Sequence, residues 1–213
     1  MPPTVIFHLS ARFRADNSAK KLNLGVGAYR DESLKPVVFS AVRKAEAAVV
    51  AAGNDKEYLP ITGLAAFTAV AAKLMFGADC AQVKDKRIVT CQTLSGTGAL
   101  TLASLFLKRT LPGRRVFCSE PTWENHGKVL ADSGYGTLEY YRYWDNSTRG
   151  LDFAGMVEDF EKMPEGSIVI LHACAHNPTG ESLCLSRGAG KTFRPFFLLV
   201  YLSLYYLSTS APP

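Results

Sequence analysis

The sequence predicts an α/β fold with a mainly parallel sheet and flanking helices, on two observations. From residue 87 onward, short β-rich runs alternate with segments whose apolar residues recur at the helical period. In addition, residues 168–171 read Ile-Val-Ile-Leu, an uninterrupted apolar run that is typical of a strand covered on both faces. Because strands and helices alternate, we expect right-handed crossovers between parallel strands.

Two helices are predicted before this alternating region. The first covers 37–52, where apolar residues keep a 3.6-residue period up to Gly53. The second has Thr62 as its N-cap and ends at Gly77. Residues 58–60 between them are predicted to be a loop. The later strands are predicted at 87–91, 115–119, 137–143 and 167–172, and the later helices at 98–109, 123–133 and 152–163.

Composition limits the classes of function. The 213 residues are 47% hydrophobic and 20% charged, which is ordinary for a globular chain of this size. Lysine and arginine number 24 against 19 acidic residues, but they are scattered, so we expect an anionic ligand rather than nucleic acid. Five cysteines without a C-x-x-C pair, and no signal peptide, favour the cytoplasm, with the mitochondrion as the alternative.

Ligands of parallel sheets bind beyond the carboxyl ends of the strands, so the residues there are candidate site residues. Ser95-Gly96-Thr97-Gly98 opens a helix after the first predicted strand, where N–H groups and hydroxyls can hold a phosphate. The alternative is that the Ser or Thr only caps the helix. A dinucleotide-binding turn is a third interpretation, with Glu120 as the ribose-binding acid, but Thr101 stands where its third glycine belongs.

Two aromatic residues follow the second of these predicted strands. Trp123 can stack on a flat cofactor, or it can simply close the core beside the preceding proline. His126 can orient an acid or cap the chain locally. Neither residue is specific on its own.

The segment 172–180 is the most unusual in the chain. His172, Cys174 and His176 would share one face of a continuing strand and are a conceivable zinc trio, but a fourth ligand is absent and no metal site is predicted. The Asn177-Pro178 pair favours an extended or cis turn. Such a turn would fix the Asn177 amide at the strand end, where it can donate to a ligand oxygen.

Several of these motifs, in series, resemble those of the eukaryotic aspartate aminotransferases. The resemblance runs in order from about Leu9 to Gly180 and includes Asn23–Arg30, Glu57–Pro60, Ser95–Leu100, Pro121–His126, Tyr141–Trp144 and His172–Gly180. It implies the large domain of a fold-type I, pyridoxal-phosphate-dependent transferase. The implied organisation is an N-terminal arm and small-domain segment at 1–36, the first half of the cofactor-binding domain at 37–180, and a tail at 181–213.

The resemblance also implies a cofactor, pyridoxal 5'-phosphate, and roles for particular residues. Ser95, Gly96 and Thr97 would hold the cofactor phosphate, and Trp123 would stack on its ring. Asn177 would reach the phenolic oxygen of the ring.

Three further roles concern the substrate, the dimer and the ring nitrogen. Gly27, together with Trp123 and Asn177, would form part of the site for a dicarboxylic amino acid or its 2-oxo acid. Tyr58 would reach across a homodimer to the partner's cofactor phosphate, and His126 would support the acid on the ring nitrogen.

The resemblance stops after Gly180, so the chain lacks the family's Schiff-base lysine and substrate-binding arginines. The intact enzyme would interconvert L-aspartate and 2-oxoglutarate with oxaloacetate and L-glutamate. This chain alone is expected to be inactive, and its own binding of pyridoxal phosphate is in doubt. The alternative is a non-catalytic, truncated subunit that binds the intact enzyme or the cofactor.

The tail at 181–213 is expected to be disordered or aberrant, the product of a changed reading frame or splice. Residues 188–192 imitate the end of a Walker A loop, but Leu185 occupies the position of its first glycine. The apolar run 196–207 would span about 18 Å as a helix, against roughly 30 Å for a bilayer core. Neither a nucleotide site nor a membrane anchor is predicted.

Overall fold

The computed structural model describes residues 5–25, 27–182 and 197–201. The chain forms two compact units, Met1–Glu57 and Tyr58–Pro213. The predicted domain boundary at 36/37 is placed by the family resemblance, not by the compactness of the units. It stays a prediction. Among the described residues, no helix is both long enough and apolar enough to cross a membrane.

The N-terminal unit contains α1 (Val5–Ala15) and α2 (Ser40–Ala51). The prediction of a helix at 37–52 is confirmed, but α2 begins three residues later than expected. The N–H of Val37 donates to the carbonyl of Tyr29 at 3.0 Å, next to an antiparallel bridge between Arg30 and Pro36. This bridge holds residue 37 out of the helix.

The second unit begins with α3 (Ala65–Phe76) and α4 (Ala81–Lys84). Gly77 ends α3 as predicted, but the prediction of Thr62 as its N-cap is wrong. The N-cap is Leu64, whose N–H donates to Oε1 of Gln92 at 2.9 Å. The carbonyl of Thr62 is used instead as an acceptor for the Gln92 N–H, also at 2.9 Å. A residue 28 positions later therefore supplies the oxygen at the start of this helix.

A four-stranded parallel sheet forms the centre of this unit. Its strand order is β2-β1-β5-β6, and a small antiparallel hairpin of β3 and β4 lies beside it. The strands are β1 (Val116–Glu120), β2 (Glu139–Arg142), β3 (Trp144–Asp145), β4 (Gly150–Leu151), β5 (Ile168–His172) and β6 (Phe197–Tyr201). The helices that accompany them are α5 (Ser95–Thr110), α6 (Glu124–Asp132) and α7 (Phe153–Lys162).

The fourth strand of the sheet is not the one that the sequence predicts. Residues 87–91 form no strand with the other described residues, so that prediction is wrong. A β-rich composition shows only that a segment suits a strand, and a neighbour must still be present to pair with it. The place beside β5 is taken by β6, with Ile168 opposite Phe197 and His172 opposite Tyr201.

β6 lies within the tail 181–213, which the sequence predicts to be disordered or aberrant. Residues Phe197–Tyr201 of this tail form a strand. Residues 183–196 and 202–213, which include the Walker A imitation, lie outside the described residues.

The sheet is covered on both faces, as the run 168–171 predicts. One cluster of buried residues lies on the side of α5 and α6, and a second lies on the side of α7. The first contains Leu100, Val116, Cys118, Val129, Leu130, Tyr135, Ile168 and Ile170. The second contains Phe117, Tyr141, Tyr143, Met156, Phe160 and Val169. Alternate residues of β1 and of β5 enter opposite clusters, because successive side chains of a strand point to opposite faces.

The topology places a crevice at the carboxyl ends of β1 and β5. From β1 the chain passes through α6 to β2 on one side, and it later returns through α7 to β5 on the other side. From β5 the chain continues to β6, on the side away from β1, so the connections that follow the neighbouring strands β1 and β5 leave in opposite directions. In open α/β sheets this switch point is where ligands bind.

Candidate functional site

Five rings contact one another in series at the crevice, in the order Trp123, His126, His172, His176 and Tyr143. Their centroids are separated by 5.4, 5.0, 4.3 and 3.9 Å along the series. The first two contacts are edge-on and the last two are stacked. We call this series the ring column. It brings together residues from the carboxyl ends of β1, β2 and β5.

Hydrogen bonds fix two of the column's imidazoles. Nδ1 of His126 is 2.7 Å from Oγ1 of Thr122, four residues before it and just outside α6. Nδ1 of His172 accepts the backbone N–H of Asn177 at 2.9 Å. Because that nitrogen is an acceptor, a neutral His172 carries its proton on Nε2.

The third imidazole, His176, lies between two hydroxyls. Its Nε2 is 2.8 Å from Oγ of Ser119 on β1, and its Nδ1 is 2.9 Å from Oγ1 of Thr179. The segment that follows β5 is thereby tied to the neighbouring strand.

The column is electrically neutral at pH 7. Burial, with a smaller contribution from His172, lowers the pKa of His126 to about 3. Burial lowers the pKa of His172 to about 4. Burial, followed by the charges of the other two imidazoles, lowers the pKa of His176 to about 3. Few water molecules can solvate an imidazolium here, so the uncharged form is favoured.

The conceivable zinc trio of His172, Cys174 and His176 does not match this arrangement. The ring nitrogens of His176 and Nδ1 of His172 are used in the hydrogen bonds above, and the two rings stack face to face. Across the described part of the chain, no group of three or more His, Cys, Asp or Glu side chains could hold a metal ion.

The structure brings three predicted site residues to the crevice. His126 is fully buried on α6, and Trp123 is half-buried just before that helix, packed against the first core cluster. Trp123 thus closes the core and still keeps part of its surface accessible. Asn177 is exposed in the turn after β5, and its bond to Pro178 is cis, one of the two conformations that the sequence favours.

Ser95, Gly96 and Thr97 form the first turn of α5, which begins three residues before its predicted start. The N-cap is Leu94, which has no side-chain oxygen, and Ser95 adopts a left-handed φ of 59°. No side-chain hydrogen bond caps this end of α5, so the interpretation that Ser95 or Thr97 only caps the helix does not hold. The first-turn N–H groups keep their capacity to bind an anion.

The two remaining predicted residues belong to different units. Gly27 belongs to the N-terminal unit, and Tyr58 is the first residue of the second unit. The side chain of Tyr58 is fully exposed.

Sequence reasoning missed the hydroxyls that orient the imidazoles: Thr122, Ser119 and Thr179. Two of them carry a local signal, because Thr122 precedes His126 by four residues and Thr179 follows His176 by three. Ser119 is 57 positions from its partner, and only the pairing of the strands brings them together.

The family model of "Aminotransferase class I and II" matches residues 19–186. The chain belongs to this family. The predicted family resemblance and the predicted fold class are both confirmed, since solved aminotransferases share this fold.

Among curated proteins, this aminotransferase chain is 51% identical over 179 residues to chloroplastic aspartate aminotransferase of Arabidopsis thaliana, covering 84% of this chain and 39% of that protein. It is 48% identical over 185 residues to cytoplasmic aspartate aminotransferase of Gallus gallus, covering 84% and 45%. The chain thus spans about 40% of the length of the curated relatives it matches.

Two solved structures illustrate the likeness. An aromatic-amino-acid aminotransferase from Burkholderia pseudomallei, covalently bound to pyridoxal phosphate, superposes with a TM-score of 0.83 at 42% identity, covering 89% of this chain and 47% of that one. Cytoplasmic aspartate aminotransferase from Saccharomyces cerevisiae superposes with a TM-score of 0.75 at 41% identity, covering 84% and 43%.

Proposed function

We propose that this chain supplies the cofactor-binding core of a pyridoxal-phosphate-dependent aspartate aminotransferase. The complete enzyme would interconvert L-aspartate and 2-oxoglutarate with oxaloacetate and L-glutamate. The observation that carries the proposal is the first turn of α5, whose N-cap residue Leu94 offers no side-chain oxygen to its N–H groups. The names of the curated relatives support the choice of aspartate.

The start of α5 fits a phosphate group. Ser95, Gly96 and Thr97 offer backbone N–H groups and two hydroxyls in one turn, at the positive end of a 16-residue helix. A dianionic phosphate is the ligand that such a helix start stabilises best. The cofactor's own phosphate is the group we assign to it.

The crevice fits the cofactor's ring. Trp123 offers the accessible part of an indole face for stacking, and Asn177 offers an exposed amide that can donate to a ring oxygen or a substrate carboxylate. His126, neutral and held by Thr122, would support the acid on the ring nitrogen. When bound, pyridoxal phosphate supplies the electron sink through which amino groups are transferred.

Two assignments concern substrate and partner. Gly27 would line the pocket for the dicarboxylic amino acid, and Tyr58 would reach the cofactor phosphate of a second copy in a homodimer. The complete exposure of the Tyr58 side chain supports the second assignment. We propose a cytoplasmic location, with the mitochondrion as the alternative; the curated relatives include both forms.

The 213 residues by themselves are proposed to bind the cofactor without transaminating at a useful rate. More than half of each matched curated relative has no counterpart in this chain. Addition of L-aspartate and 2-oxoglutarate to the cofactor-loaded chain should therefore yield no oxaloacetate in a coupled dehydrogenase assay.

Cofactor binding tests the proposal directly. Pyridoxal 5'-phosphate is titrated into the 213-residue chain while its absorbance and the quenching of tryptophan fluorescence are recorded. The double variant S95A/T97V should bind about tenfold more weakly, a loss of roughly 1.4 kcal/mol. T110V, at the opposite end of the same helix, is the matched control. Absence of binding to the unmodified chain would refute the proposal.

A specific observation favours a second candidate function, a non-catalytic subunit that associates with the intact enzyme. No described residue of α3 is buried, although much of the helix is apolar. Its side chains Phe67, Val70 and Leu74 are 44%, 65% and 62% exposed. Such an apolar face is typical of an interface. Sedimentation of the chain with the intact Gallus gallus enzyme should show a complex that V70K weakens. K73E, which changes a charge on the same helix without touching an apolar side chain, is the control and should leave the complex in place.

A further inference from the structure

His176 is the best-anchored residue of the turn that follows β5. Its ring nitrogens meet the hydroxyls of Ser119 and Thr179 at 2.8 and 2.9 Å. Its backbone N–H donates to the carbonyl of Glu181 at 2.7 Å, and its carbonyl accepts the N–H of Gly180 at 2.6 Å. All four polar groups of this residue are therefore engaged.

The ring of His176 is also fixed by packing. It is stacked between Tyr143, with centroids 3.9 Å apart, and His172, with centroids 4.3 Å apart. Only 2% of the residue is exposed. A ring held on both faces and at both nitrogens has one orientation available to it.

Asn177, the next residue, is exposed, so the buried His176 lies directly beside the exposed Asn177 amide. The backbone conformation of the turn is also restricted on both sides of His176. Before it, Ala175 has a left-handed φ of 46°, and its N–H donates to Oγ of Ser182 at 2.9 Å. After it, the N–H of Asn177 donates to Nδ1 of His172.

We propose that His176 is a positioning residue that acts through Asn177. Its ring, held by two hydroxyls and two neighbouring rings, sets the direction in which the Asn177 amide meets an oxygen of the bound cofactor. This inference rests on the proposed function, because it assigns the amide to that ligand. His176 itself does not touch the ligand.

A double-mutant cycle separates positioning from general support. H176F keeps an aromatic ring between Tyr143 and His172 but removes both nitrogens. With Asn177 present, H176F should weaken binding of pyridoxal 5'-phosphate about tenfold, or ~1.4 kcal/mol. In the N177A background the same change should alter binding by less than about twofold, since the group through which it acts is missing. An equal loss in both backgrounds would overturn the inference.

A ligand-free measurement distinguishes failure of this inference from failure of the proposed function. The {1H}–15N NOE of the Asn177 side-chain amide is recorded in the unliganded 213-residue chain. It should fall in H176F, and in S119A and T179V, which remove one hydroxyl each and leave the ring in place. T110V, which removes a hydroxyl far along α5, should leave it unchanged. If the unmodified chain binds no cofactor, the proposed function fails, whereas an Asn177 NOE that is the same in all of these variants refutes positioning by His176.

Discussion

Acidification should destabilise this chain through the three buried imidazoles of the ring column. Their pKa values are lowered to about 3 for His126, about 4 for His172 and about 3 for His176. In the unfolded chain an imidazole has a pKa near 6.5. Below pH 6.5 the unfolded state therefore binds protons that the folded state excludes. The free energy of unfolding is therefore highest above about pH 7.5, and it falls as the pH drops through 6.5 toward the folded pKa values of about 3 to 4.

The size of the effect follows from proton linkage. Between pH 6 and pH 5 each imidazole costs about 1 kcal/mol of folding free energy, because its unfolded form is mostly protonated there and its folded form is not. The three together cost about 3–4 kcal/mol, a large share of the roughly 5–15 kcal/mol that stabilises a typical domain. Carboxylates add little in this window, since their ordinary pKa values lie near 4.

Urea unfolding at pH 6.0, 5.5 and 5.0, followed by circular dichroism, measures this dependence. H176Q removes one of the three buried imidazoles and should reduce the loss of folding free energy between pH 6 and pH 5 by about one third, whatever its own stability. H8Q is the matched control, because His8 is exposed on α1. If H176Q shows the same pH dependence as the unmodified chain, the imidazole of His176 is not held neutral and the reasoning is wrong.

Three further predictions concern the second unit. D152A removes the side chain that caps α7 and should lower the free energy of unfolding by about 1 kcal/mol in urea, with D152N as the control that keeps a capping oxygen. Y141F deletes a buried hydrogen bond of 2.8 Å to the carbonyl of Ile170, and the same assay should show a loss of about 1–2 kcal/mol; no loss would mean that this carbonyl has another donor. Burial raises the pKa of the Cys118 thiol to about 12, so iodoacetamide at pH 8 should alkylate the exposed Cys91 and spare Cys118 until urea is added, as peptide mass spectrometry would show. Early labelling of Cys118 would contradict the buried position of β1.

Much of the second unit could be predicted from the sequence because local composition decides it. The run 168–171 is apolar at every position, short and rich in β-branched residues, which favours a strand with both faces covered. The helix predicted at 152–163 differs from α7 by one residue at each end, because its apolar period and its starting Asp152 agree. The candidate site turns after β1 and β5 could be located for the same reason, since they follow those strands directly, whereas the turn at Ser95 is predicted to follow a strand that the described residues do not form.

What sequence reasoning missed depends on partners that are distant along the chain. Thr62 looks like an N-cap, but Gln92 supplies the oxygen at the start of α3. Residues 87–91 have the composition of a strand without a described neighbour to pair with. The anchor of the Asn177 turn is missed as well, because the sequence does not show that Ser119 faces His176.

Because β1 contributes residues to both core clusters, it should be among the last parts of the second unit to unfold. Val116 and Cys118 pack on one face of the sheet and Phe117 packs on the other, so β1 cannot leave without exposing both. Its amide protons should exchange with solvent only in global unfolding, while those of α3, which has no buried residue among those described, exchange through local opening. A ligand held at the carboxyl end of β1 would thus bind the part of the unit that unfolds last. Its binding energy would then slow exchange of the slowest amides and leave the fastest ones unchanged.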